Sequence, residues 1–67
     1  MKPQMGAEEI QRLGGMIDNI ELKIRRNDPQ RGQFNRIYEA FVNRDPLNKK
    51  QVELLQQIYK RVMSDEY

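Results

Sequence analysis

The side chains able to do chemistry here are aspartates, glutamates, lysines, arginines and tyrosines. The 67-residue chain holds no histidine, cysteine or threonine, and its one serine is Ser64. Nucleophilic and proton-shuttling catalysis normally recruits Ser, Cys, Thr or His. Zinc and most transition-metal sites need imidazole or thiolate. Asp18 and Glu21 lie one turn apart and could share a cation, but two carboxylates are a thin ligand set for magnesium or calcium. No catalytic residue, metal or cofactor is therefore expected. The chemistry left to this chain is binding, and its cations are the first place to look.

Lys49 and Lys50 fall in the first turn of a predicted helix, where the dipole disfavours cations by roughly 0.3–1 kcal/mol. Glu53 follows Lys49 by four residues, the weaker orientation of that pair. Lysines beside free N–H groups at a helix start suit an anion. Arg44 lies just across Asp45-Pro46, and Arg36 extends the same candidate surface. A second set comprises Arg25, Arg26, Arg31, Lys60 and Arg61. Arg25-Arg26 and Lys60-Arg61 fall in predicted last turns, where complementing the dipole explains them without any ligand. Gathered at one pole and opposed mainly by Asp28, Asp65 and Glu66, the five would also hold an acidic surface or a phosphate. Tyr38 and Tyr59 are of a type that stacks on nucleobases, but their spacing places them in apolar stripes as rim residues of a core.

These residues need elements to position them. Ile10, Leu13, Ile17, Ile20 and Ile24 recur at steps of three and four, the stripe of an amphipathic helix. Gly6 is a plausible N-cap, Met5 and Ile10 are spaced as a staple, and Glu8 and Glu9 suit the first turn. This helix is expected over residues 7–26. Asp28-Pro29 then reads as an N-cap followed by proline at the first helical position. The second helix, expected over 29–43, buries Phe34, Ile37, Tyr38, Phe41 and Val42; Gly32 could delay its start. Asn48 and Gln51 form a capping-box pair, with Leu47 and Val52 stapled across it, opening a third helix over 49–63. Residues 1–5 and 64–67 are expected to fray. The fold class is all-α, one up-down-up three-helix domain over 1–67.

Gly14-Gly15 conflicts with the first helix, since each glycine costs a helix interior about 0.8–1 kcal/mol. The pair marks either a kink or a close helix contact. In the second case Ile10, Leu13, Gly14, Gly15 and Ile17 form a packing or self-association face, and a homo-oligomer is possible.

Charge is unevenly distributed along the chain. Residues 1–21 carry two cations and four anions, 22–50 eight and three, and 51–67 two and three. The basic block lies in the middle. The start of the chain has no apolar signal-like run, and nothing resembles a membrane span, so a cytoplasmic protein is expected.

The segment around Leu47, Lys50, Gln51, Leu55, Ile58, Tyr59 and Arg61 resembles a short helical element of small phage and bacterial proteins. Its pattern is Leu, Ser or Thr, any residue, Lys-Gln, then a helix ending near Ile-Tyr-x-Arg. Asn48 stands where Ser or Thr is usual and keeps the capping role. The resemblance covers residues 34–61. It implies a phage or mobile-element origin and carries no activity with it.

Two functions follow as expectations. The first is a non-catalytic adaptor or inhibitor that docks on another protein through Arg44, Lys49 and Lys50 or through the helix-one stripe. The second is a nucleic-acid-binding module using Lys49, Lys50, Arg44, Arg36 and Arg25-Arg26. Asn48, Lys49, Lys50 and Gln51 resemble the start of a base-reading helix, although the preceding Arg44–Leu47 link lacks the usual glycine turn.

Overall fold

The computed structural model describes residues 6–67. It contains three helices, α1 (Ala7–Lys23), α2 (Arg31–Val42) and α3 (Lys49–Val62). They run up, down and up, as the short connections between them predict. α3 is the central element, packed more extensively on α1 than on α2. One core joins all three: Leu13, Ile17, Ile20 and Ile24 from the first segment, Phe34 and Ile37 from α2, and Leu47, Leu55, Ile58 and Val62 from the third. No described helix is long and apolar enough to cross a membrane.

The start of α3 follows from local chemistry alone. Asn48 Oδ1 accepts the Gln51 N–H at 2.8 Å, and Gln51 Oε1 accepts the Asn48 N–H at 2.9 Å. That reciprocal pair satisfies two of the donors a helix start leaves open. Leu47 is buried and Val52 half-buried against the core, as a staple requires.

The other two boundaries differ from expectation. α1 ends at Lys23 rather than 26, because Ile24 turns extended (φ −66°, ψ 134°). In that conformation its side chain is still buried in the core. Arg25 and Arg26 therefore lie beyond the helix. α2 begins at Arg31 rather than 29, with Gln30 as its N-cap and no side-chain cap bond. Asp28 does not cap the helix; its Oδ1 takes the Gln30 N–H at 2.8 Å within a turn. The Met5 half of the proposed Met5–Ile10 staple lies outside the described residues.

The glycine pair splits into two cases. α1 runs unbroken through both, so the helix does not end and restart there. A Cβ on Gly14 would lie 3.3 Å from the tip of the Phe41 ring, whereas one on Gly15 would meet nothing within 4 Å. Gly14 thus admits α2's Phe41 close to the α1 backbone. Gly15 weakens the helix by about 1 kcal/mol relative to alanine with no contact inside the chain to compensate. Two residues expected in the buried stripes are exposed, Ile10 at 43% and Val42 at 59%.

Candidate functional site

α2 stops at Asn43, and Arg44 adopts the left-handed conformation with φ 61°. The Arg44 N–H donates to the Phe41 carbonyl at 3.0 Å and the Asp45 N–H to the Ala40 carbonyl at 2.9 Å. These two bonds are the standard left-handed helix stop, whose pivotal position usually carries glycine. An arginine there bears a backbone strain of roughly 1–3 kcal/mol. Asp45-Pro46 follows, and the chain reaches Asn48 to start α3.

That short connection brings Arg44, Lys49 and Lys50 to the same end of the domain, all three exposed, with exposed Arg36 further along α2. Among the described residues the one ion pair is Arg61–Asp28, so these four cations have no carboxylate within 4 Å. Val42, immediately before the helix stop, adds an exposed apolar side chain. The Phe41–Gly14 approach places this end of α2 beside the first half of α1, where Ile10 sits one turn before Gly14. The result is an open surface with a basic part and an apolar part.

The opposite pole is organised differently. Its centre is Asp28, 8% exposed and the one buried charged residue among those described. Asp28 accepts hydrogen bonds from the Gln30 N–H, from Arg61 Nη2 and, at 2.7 Å, from the Tyr67 hydroxyl. The Tyr67 hydroxyl in turn accepts the Arg25 backbone N–H at 2.8 Å. The guanidinium groups of Arg25 and Arg61 lie 5.0 and 5.4 Å from the centroid of the Tyr67 ring, close enough for cation–π attraction. Arg61 also donates through Nε to the Gln30 side chain at 2.8 Å. Residues 64–67, expected to fray, are drawn back onto the pole by this network.

The charge-assisted bond from Arg61 holds the Asp28 carboxyl well below the usual carboxylate range; burial opposes this, and the Tyr67 hydroxyl and the Gln30 N–H add to it. The same bond raises Arg61 above the usual arginine value. No buried side-chain polar atom among the described residues lacks a partner.

The structure does gather Arg25, Lys60 and Arg61 around one cleft of about 860 Å³, also lined by Asp28, Gln57 and Tyr67. Their charges are not free together, however. Arg61 is committed to Asp28. Arg31 donates to the Ile24 carbonyl at 3.2 Å, tying α2 to the end of the first segment. Arg26 is exposed. This pole closes the fold. Sequence reasoning set Asp28 against this basic pole but missed its specific bond to Arg61 and the part of Tyr67, since these contacts span 33 and 39 positions.

The helix-one face is also largely internal. Leu13 and Ile17 are buried in the core and Gly14 is covered by Phe41, which leaves Ile10 and Gly15 exposed. Tyr38 and Tyr59 are half-buried against the core, with Tyr38 tilted on Phe34 at 6.2 Å between ring centroids. Asn48 and Gln51 use their amide oxygens on each other's backbone.

Against known proteins, no family model matches the chain, and no curated protein or solved structure gives a match either.

Proposed function

We propose that the protein is a small non-catalytic adaptor or inhibitor that docks on an acidic surface of another protein through Arg44, Lys49 and Lys50. One observation carries the reading. These three neighbouring cations each occupy a position that local energetics disfavours, Arg44 a left-handed backbone and the lysines the positive end of α3. Departures from local preference without an internal benefit concentrate at functional sites. None of the three has a carboxylate partner within the described chain. Val42, exposed beside them, supplies the apolar contact that a protein interface needs at its centre.

A protein partner fits better than a nucleic acid. Asn48 and Gln51 are engaged in the capping box and are withdrawn from base reading. The tyrosines are held against the core. The second basic cluster lies at the far pole, where Arg61 is neutralised by Asp28, so no continuous track for a phosphate backbone is formed.

The test is affinity capture with the tagged protein from bacterial lysate with and without nuclease, beside the Lys49→Glu/Lys50→Glu double variant. The expected result is a stoichiometric partner that survives nuclease and moderate salt and is lost with the double variant. That variant stays folded, because glutamates suit a helix start. Capture unchanged by the double substitution refutes the surface. Material that disappears after nuclease favours nucleic-acid binding, which must weaken steeply with salt.

A further inference from the structure

We propose that the recess between Asp28 and Arg25 is a tyrosyl-binding site, filled in cis by Tyr67 and open to a tyrosine of a partner protein when residues 64–67 lift away. The two oxygens of Asp28 are divided. Oδ1 takes the Gln30 N–H and Arg61 Nη2, whereas among the described residues Oδ2 is bonded by the Tyr67 hydroxyl alone. The same hydroxyl accepts the Arg25 backbone N–H. Without Tyr67, the recess presents one carboxylate oxygen and one N–H, set 2.7 and 2.8 Å from a single oxygen position. The guanidinium groups of Arg25 and Arg61 flank the place of the ring. The whole lies in the open cleft that Lys60 and Gln57 also line.

These groups select their ligand. A hydroxyl both donates and accepts, so one atom satisfies Asp28 Oδ2 and the Arg25 N–H together. A carboxylate accepts from Arg25 but has no proton for Oδ2, and it sets a second anion against Asp28. An ammonium or an indole N–H donates to Oδ2 but has no lone pair for the Arg25 N–H. A serine or threonine hydroxyl has the right atom but no ring for the two guanidinium groups. A phenol meets every requirement.

The occupant in cis is held by little besides its own side chain. Ser64, Asp65 and Glu66 are exposed, and the other hydrogen bonds of residues 64–67 run to Arg61 or within the segment. When the segment leaves, Asp28 keeps Arg61 and the Gln30 N–H, so the helices need not open with it. Segments held this way open locally at a fraction of the global cost. A partner protein supplies the tyrosine, since a second copy would give up its own Tyr67 bonds to form identical ones. The tethered Tyr67 competes at high effective concentration, so the partner must add contacts beyond the ring. The site lies at the pole opposite Arg44, Lys49 and Lys50 and does not depend on the docking reading for them.

Tyr67→Gly empties the recess, and p-cresol, the tyrosine side chain as a free molecule, is the probe. Millimolar p-cresol should raise the melting temperature of Tyr67→Gly by several degrees. Toluene, the same ring without the hydroxyl, should have about a third of that effect or less. Tyr67→Phe, whose ring keeps the recess filled, should show no such rise. If Tyr67→Gly is unfolded alone, p-cresol should fold it and toluene should not. Opening is read in the wild type by deuterium exchange. Relative to its intrinsic rate, the Arg25 amide should exchange about tenfold faster or more than the Ile58 amide in the core. No preference for p-cresol over toluene overturns the site. An Arg25 amide as protected as that of Ile58 overturns its opening to a partner. A wild-type dimer that Tyr67→Gly abolishes in sedimentation would assign the recess to a second copy and overturn the source.

Discussion

Asp28 shows how one side chain can join parts of a short chain that local sequence cannot. It binds Arg61 near the end of α3, Tyr67 beyond it and the backbone just before α2. Its depressed pKa has a definite consequence for stability. An unfolded aspartate titrates near 3.9, and the folded one titrates lower, so the network's contribution is complete above about pH 4 and is lost as pH falls below that value. Asp28→Asn should lower stability at pH 7 by roughly 1–3 kcal/mol and flatten the acid limb. Urea denaturation at pH 7 and pH 3 checks this; equal acid losses in both proteins would exclude Asp28 as the cause. Arg44 is the opposite case, a residue the fold would do better without. Arg44→Gly should relieve its left-handed strain and raise stability by about 0.5–1 kcal/mol after glycine's added chain entropy. The same change should weaken capture of the partner. The charge pattern sets Asp28 against the basic pole and Arg44 among the candidate contacts, but the specific bonds of Asp28 and the helix-stop position of Arg44 were not legible in sequence. Asp28 before proline has the local signature of a cap, and the partners that override it lie beyond any local window. Arg44 occupies a position where glycine would have announced the turn.

Among the elements, legibility followed the range of the forces involved. α3 begins at the residue its capping box predicts, because both halves of that box lie within four residues. α1 ends early and α2 begins late because the connection answers to tertiary demands. Ile24 leaves the helix yet stays buried, and Arg31 reaches back to its carbonyl. The first two apolar stripes identified six of the ten core residues, Leu13, Ile17, Ile20, Ile24, Phe34 and Ile37, but overstated Ile10 and Val42 at the stripe ends. The glycine pair gives the sharpest test at this scale. Gly15→Ala should stabilise the domain by about 1 kcal/mol, since its Cβ enters open space. Gly14→Ala should gain much less, because its Cβ would press on the Phe41 ring tip. Thermal melts of the two variants decide it, and equal gains would mean that the Phe41 contact yields freely.

The whole molecule, at 67 residues, belongs to a size class that buries only about 60% of its unfolded surface. No disulfide helps it, since the chain has no cysteine. Nearly every other contact that shapes it is either within a helix or between one helix and the next. The exceptions are the packing of α1 on α3 and the polar network that ties Tyr67 and Arg61 to Arg25, Asp28 and Gln30. That arrangement makes the two ends unlike: one pole is closed by an internal network, and the other leaves its cations open. The tie also has a kinetic meaning. Contacts between residues far apart in sequence form late, after loop closure, while local helical contacts form early. An interaction absent from the folding transition state affects the rate of leaving the native state and not the rate of reaching it. Tyr67→Phe should therefore speed unfolding several-fold in stopped-flow measurements and leave the refolding arm unchanged. The hydroxyl that holds residues 64–67 in place would then act as a latch on the lifetime of the folded chain.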